Sequence, residues 1–541
     1  MPIPMALTDY DYVVVGGGSG GAVVATRLVE AGNRVLLLEG GKRDNHLYVK
    51  APAGMFMLSD TGHAIAHETT PQPSANGRPM YIPTGATLGG GSSVNGMVYI
   101  RGQREDYDEW AAEGNPGWAW DDVLPYFKRA ENNQRLANED HGTEGPLPVS
   151  DPTHKHVLSR AFVLAAQQAG HSYSHDFNAQ NGPGNSHGQM GVGYYQTTTI
   201  RGTRASTTAT YLARVKGNPN LTIKVSSPVS RLIFEGRRAV GVVAAVDGGA
   251  EVEIRAKKGV VLSAGALVTP KILMLSGIGP GEHLKSHGIE VRHDLKGVGG
   301  NLQDHLEVHV QARTKEPISM FGQNKGWRRI RHGIEWVFFR QGILTSNIVE
   351  AGGFFDLDGD GRPDVQIHVV PIFNSDVNRA APAGHGFSLD PCYLRPKSRG
   401  EVRLRSTDPK DRPLVDPHFL EAQEDVDTLV RGVHLSRSIL RQPALARLLD
   451  EEVMPGPAVQ SDAEIEAFVR GNAKTAYHPV GTCKMGSDDR AVVDSGLKLH
   501  GFDNVWISDA SVMPLLVSGN TNAPTIMIGE RAADFILGAV A

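Results

Sequence analysis

Cysteine is nearly missing from this chain of 541 residues, with Cys392 and Cys483 the whole supply. Two thiols make neither a disulfide framework nor a metal cluster by themselves, and a free pair suits a reducing cytosol. No stretch stays apolar for the roughly 18 residues that a membrane-spanning helix needs. The start, MPIPMALTDYDYVVVGGG, lacks the basic region, apolar run and small-residue cleavage site of a secretory signal. A soluble, cytoplasmic protein is expected, with attachment to the periphery of a membrane left open. Basic blocks are also lacking, and the net charge is −5. The electrostatic footprint of a nucleic-acid or anionic-membrane binder is therefore not evident, and a small uncharged substrate fits better. No internal repeat or low-complexity tract is present.

What is present reads as ordinary globular protein, 40% hydrophobic and 21% charged, and too long for one core, so at least two domains are expected. The stretch YDYVVVGGGSGGAVVATRLVEAGNRVLLLEGG reads as strand, glycine turn, helix and strand, with strands at Val13 to Val15 and Arg34 to Leu38 around a helix at Ala22 to Ala31. Gly16, Gly18 and Gly21 form GxGxxG in the turn, and Glu39 follows Gly16 by 23 residues. These are the parts of a dinucleotide site: a tight turn, a close approach of backbone to pyrophosphate, and a carboxylate about 20 residues on for the ribose. A second strand and helix are expected at Val260 to Leu262 and Thr269 to Leu275.

Other features read as structural. HSYSHDFNAQNGPGNSHGQMGVGYYQ, at 171–196, is expected to be a surface loop or lid, and His171 and His175 within it lack a third metal ligand. DLDGDGRPD, at 356–364, imitates the start of a calcium loop, yet Ile367 stands at the twelfth position where a bidentate glutamate is needed. A hairpin turn is expected there, and no metal site anywhere.

Three further stretches, TGATLGGGSSVNGMVYIRG at 84–102, GALVTPKILMLSGIGP at 265–280, and AYHPVGTCKMG with the C-terminal VWISDASVMPLLVSGNTNAPTIMIGERAADFI, resemble the glucose-methanol-choline (GMC) family of flavin oxidoreductases, closest in look to its alcohol and choline dehydrogenases. The resemblance runs along essentially the whole chain. It implies an α/β fold with a Rossmann-like FAD-binding domain, at 1–155, 221–306 and 482–541, and an α+β substrate domain on a large sheet, at 156–220 and 307–481. It places Gly16, Gly18 and Ser19 at the FAD pyrophosphate, Glu39 at the ribose, and the backbone of Val229 at the adenine. Asn95, Gly96, Met97 and Val98 are implied along the flavin, with Gly20, Gly40, Leu88, Gly90, Ala264, Gly265, Tyr477, Asp509, Ala510, Thr521 and Asn522 completing the cofactor site. Two departures stand out: Ala86 replaces a basic residue, and Val94 replaces the histidine of relatives with covalently bound flavin, so non-covalent FAD is expected.

The resemblance makes His478 the general base and Asn520 the partner that steadies the alkoxide. The activity implied is oxidation of a primary alcohol to an aldehyde with hydride passing to flavin. An oxygen-using oxidase and a hydroxynitrile lyase with non-redox FAD are the alternatives. The acceptor is oxygen or a quinone-like molecule, and no residue sets the oligomeric state. Because histidine titrates near neutrality, flavin reduction is expected to rise as a group near pH 7 loses its proton. Tyr477 is expected to wall the pocket, and Asp304 and His305 to serve the core. Glu350 is expected either to face substrate or to pair with a buried arginine.

Overall fold

The computed structural model describes residues 5–180, 188–376 and 379–539. Two sheets carry the architecture. The first has seven strands, in the order Leu221–Lys224, Val35–Leu38, Met5–Val15, Glu251–Leu262, Arg238–Ala245 and Val229–Glu235, with Val505–Ile507 beside Glu251–Leu262. The pairs around Met5–Val15 are parallel, and Val229–Glu235 with Arg238–Ala245 is an antiparallel hairpin. Val13–Val15 and Val35–Leu38 are buried throughout. That agrees with continuous β-branched and leucine runs, because a parallel sheet is covered on both faces and leaves no solvent side for polar residues.

The turn after Met5–Val15 leads into the helix Ser19–Glu30, which packs against the C-terminal helix Asn522–Leu537. Gly16 makes this turn possible. Its φ is +97°, and a Cβ there would lie 2.3 Å from the carbonyl oxygen of Ser263 on the neighbouring strand end. The second strand–helix unit, Glu251–Leu262 and Thr269–Leu275, lies where the sequence reading put it and pairs in parallel with the first.

The second sheet has eight strands and is antiparallel. Its main path runs Leu449–Met454, Val310–Thr314, Gly386–Tyr393, Val365–Val370, Ala351–Phe355 and Gly191–Tyr194, with the short strand Leu306–Glu307 beside Gly386–Tyr393 and Lys474–Thr475 beside Leu306–Glu307 in turn. The helices Val157–Gln168 and Gln423–Leu440 share a buried hydrophobic cluster with it.

The stretch at 171–196 corrects the surface-loop reading. Residues 181–187 lie outside the described residues, but Gly191–Tyr194 is a strand of the second sheet, and Phe177 and Asn178 are buried. Asn178 accepts a hydrogen bond from the Arg101 amide at 2.8 Å and donates one to the Tyr99 carbonyl at 3.1 Å. Asn178 thus satisfies buried backbone rather than water, which composition alone does not distinguish.

The loop at 356–364 is the expected hairpin turn between Ala351–Phe355 and Val365–Val370. Asp356 accepts the amides of Gly359 and Gly361, at 2.7 and 2.9 Å. The carboxylates of Asp356, Asp358 and Asp364 nevertheless converge, because the ninth position of the motif, not the twelfth, folds back on the first.

Candidate active site

A cavity of about 1450 Å³ is bounded by elements of both sheets. One end is lined by Gly16, Gly18, Ser19, Gly20, Glu39 and Gly40, with Val229 nearby. The Ser19–Glu30 helix starts there with no side-chain cap, leaving its first amides available to an anion. Gly90 approaches so closely that a Cβ on it would stand 2.7 Å from the Gly18 Cα. Both Glu39 oxygens hold the turn, accepting the amides of Gly17 at 2.8 Å and Gly41 at 2.7 Å, and burial raises the pKa of the carboxyl.

Further along, Gly90, Val94, Asn95, Gly96, Met97 and Val98 form a wall. Arg204, buried and absent from the sequence reading, pins this loop by donating to the carbonyls of Ser92 and Asn95 and to Asn95 Oδ1. Burial lowers its pKa to about 9. Ala264, Gly265, Asp509, Ala510, Thr521 and Asn522 complete the wall. There Asp509 accepts from the Gly265 amide at 2.9 Å and the Thr269 hydroxyl at 2.6 Å, and Ser19 donates to Asn522 at 2.7 Å. Leu88 differs from its expected place: it is a core residue whose side chain packs under Gly17, and it does not reach the cavity. The bare helix end, the glycine cradle, the size of the cavity and the unpartnered, buried Ser263 Oγ in its wall fit an extended dinucleotide cofactor.

His478, Asn520 and Tyr477 meet at the other end. Tyr477 has φ +70°, an uncommon left-handed conformation for a non-glycine residue. It is held because the Thr475 hydroxyl accepts the Tyr477 amide at 2.8 Å and Asp304 Oδ1 accepts the His478 amide at 2.7 Å. Asp304 is buried, is bonded also to the Thr475 hydroxyl, and has its pKa raised to about 7 by burial.

The tautomer of His478 follows from its neighbours. His305 Nε2 lies 3.0 Å from the Leu394 carbonyl, which only accepts, so Nε2 carries the proton and Nδ1 of a neutral His305 is an acceptor. That Nδ1 lies 3.0 Å from His478 Nδ1, which therefore donates. His478 Nε2 is left with its lone pair, 3.2 Å from the donor amide of Asn520. Gln366 fixes the amide by donating to Asn520 Oδ1 at 3.2 Å. Burial pushes the His478 pKa well below its ordinary value of 6.5, with His305 and His368 adding to the shift. The imidazole is thus neutral across the physiological range, which corrects the expectation of a titration near neutrality. Asp304 and His305 belong to the core, as expected, and they also orient His478.

Glu307 was missed. Its carboxylate lines the cavity and pairs with buried Lys474 and with His368 Nδ1, 3.0 Å away, and these partners hold its pKa far below the usual range against the opposing effect of burial. A signal existed in HLEVH, where His305, Glu307 and His309 alternate along an otherwise apolar strand and so share a face. Glu350 matches neither expected role: it is fully buried away from the cavity, and its oxygens meet His154 Nδ1 at 2.7 Å, the His156 amide and the hydroxyls of Ser159 and Ser346.

Sequence comparison agrees with this geometry. The GMC oxidoreductase family models match residues 10–307 and 396–529. This chain is a GMC oxidoreductase. It is an FAD-dependent enzyme acting on CH–OH donors. The GMC chain is 42% identical over 540 residues to an alcohol dehydrogenase [acceptor] of Pseudomonas putida, covering 98% of this chain and 96% of that protein. It is 42% identical to mitochondrial choline dehydrogenase of Mus musculus, covering 98% and 90%. Among solved structures, a formate oxidase variant of Aspergillus oryzae studied for FAD modification superposes with a TM-score of 0.91 at 28% identity, covering 99% of each chain. No helix among the described residues of this GMC enzyme is long and apolar enough to cross a membrane.

Proposed function

We propose that this GMC enzyme oxidises an uncharged primary alcohol to the aldehyde, with His478 as general base and Asn520 as its partner at the alkoxide. The observation that carries the reading is the lone pair of His478 Nε2, turned into the cavity beside the Asn520 amide and fixed there by His305. A neutral imidazole is ready to take the hydroxyl proton, and the resulting imidazolium keeps its Nδ1–H bond to His305. Asn520 Nδ2 donates to the oxygen as its charge develops, where a fixed donor is most effective. Bound FAD supplies the acceptor for hydride from the α-carbon. Gly16, Gly18, Ser19 and Gly20 would hold the pyrophosphate and Glu39 the ribose. The loop 94–98 and residues 509–510 and 521–522 would border the flavin.

Two features support the finer reading. Val94 lines the cavity where an attachment residue would be needed, and an aliphatic side chain forms no bond to flavin, so FAD is held non-covalently. Glu307 and Lys474 neutralise each other in the wall, which favours an uncharged alcohol over a cationic one. The two sheets support the division into a cofactor domain at 1–155, 221–306 and 482–541 and a substrate domain at 156–220 and 307–481; the strand Leu306–Glu307 straddles their boundary.

Anaerobic mixing with a panel of alcohols tests the proposal. Bleaching of the flavin by neutral primary alcohols is expected, and a flavin that stays oxidised through turnover would point to lyase chemistry. His478→Ala should retain FAD and slow reduction by roughly 10²–10⁴-fold, and Asn520→Ala should combine with it less than additively. Near-wild-type reduction by His478→Ala would remove His478 from the mechanism.

A further inference from the structure

The helix Gly326–Phe339, in the segment KGWRRIRHGIEWVFFR, stands out on the surface. Of the fourteen most exposed large hydrophobic side chains among the described residues, six lie on it, including Trp327 at 68%, Phe338 at 74% and Phe339 at 66% exposure. Trp327, Ile330, Ile334, Val337 and Phe338 follow helical spacing and form one stripe about 100° wide. The helix is anchored from its other side by Trp336, buried, with its indole N–H 2.7 Å from the Gly202 carbonyl. The stripe is therefore held outward.

Charge decides what suits it. The segment holds five cations, Lys325, Arg328, Arg329, Arg331 and Arg340, against the single carboxylate of Glu335, in a chain of net charge −5. All five are exposed. Arg331 pairs with Glu335 at 2.7 Å, but Arg328 and Arg329 make no ion pair among the described residues. A second copy docked on the same face by a two-fold axis would set these cations against themselves. A bilayer with anionic headgroups accepts both halves of the pattern, with aromatic rings at the acyl boundary and arginines at phosphate.

We infer that the helix Gly326–Phe339 docks this enzyme on the surface of an anionic lipid bilayer. Arg329, His332, Gly333, Trp336 and Val337 of the same helix line the cavity, as do exposed Leu47 and Phe56, so docking brings the mouth of the cavity to the lipid. Lipophilic alcohols and acceptors dissolved in the bilayer gain a direct way in. The docking itself does not depend on the alcohol reading, since its assay involves no turnover.

The test is flotation of the holoenzyme with vesicles of phosphatidylcholine alone or mixed with phosphatidylglycerol, across a salt series. Wild type should float with the anionic vesicles and be released by salt. Trp327→Ser/Phe338→Ser/Phe339→Ser and Arg328→Gln/Arg331→Gln should each lower partitioning roughly tenfold or more. None of these residues lines the cavity, so FAD content, melting temperature and reduction by a water-soluble alcohol should stay at wild-type values. The inference is overturned if wild type stays unbound, or if the variants float as well as wild type. It is also overturned if the face proves to be a dimer contact, with a concentration-dependent dimer that the aromatic triple variant dissolves and vesicles that bind neither form.

Discussion

Replacing His305 by alanine tests the chain of hydrogen bonds that makes His478 a base. The substitution removes the only acceptor seen for His478 Nδ1–H, now at 3.0 Å, and frees the imidazole to hold its proton on Nε2 instead. The lost hydrogen bond alone contributes roughly 0.5–1.5 kcal/mol. At about 1.4 kcal/mol per decade, it accounts for up to about tenfold in rate, and the misplaced tautomer raises the expected slowing to roughly 10–100-fold. His305 does not itself meet the alcohol in this scheme, so it acts as a positioning residue and needs a readout beyond rate. Burial is the largest cause of the depressed His478 pKa and His305 is the next. In wild type, reduction should therefore be flat from about pH 6.5 upward and fall only in acid, as Nε2 becomes protonated. In His305→Ala the group that touches His478 Nδ1 is gone, and the acid limb should shift from its wild-type position. His305→Asn, whose amide oxygen can accept the Nδ1–H, should recover much of the rate. Anaerobic rapid mixing, followed by flavin absorbance from pH 5 to 9, measures all three enzymes. A His305→Ala enzyme with the wild-type rate and the wild-type acid limb would refute the reasoning.

Lys474→Met should strand the Glu307 carboxylate in the cavity wall, with His368 as its remaining close hydrogen-bond partner. Breaking a buried pair in this way typically costs about 3–5 kcal/mol, so chemical denaturation should show a clear loss that Lys474→Met/Glu307→Gln partly restores. Burial lowers the pKa values of His67, His156 and His305 to about 4. The unfolded chain then takes up their protons first as pH falls below about 6.5, so these groups should cause stability to decline from pH 6.5 to 4, by up to roughly 3 kcal/mol each; a melting temperature that is flat or rises on acidification would contradict this. Acid precipitation should leave the yellow FAD in the supernatant, and colour retained in the pellet would show a covalent link despite Val94.

The parts that the sequence determined alone are those whose physics is local. GxGxxG between two apolar runs can form little else than a strand, a tight turn and a helix; the two helices lie within a few residues of their expected bounds, and the two strands end where expected but begin eight and nine residues earlier. The motif around His478 and Asn520 marked the two residues that the fold brings to 3.2 Å from 42 positions apart. Even there, residue type suggested a histidine titrating near neutrality, whereas burial and two neighbouring imidazoles depress it, and those neighbours arrive from other strands. Glu350 had two expected partners and took neither, because the groups that satisfy it come from 154–159 and 346, which only the packing of the second sheet assembles. The cations at 328–331 and 340 went unread because apolar residues at helical spacing interrupt them, so no block appears along the chain. Local propensity and motif spacing are written along the sequence. Burial, the tautomer of a histidine and the face a helix leaves bare are properties of what surrounds a residue in space, and tertiary packing decides them.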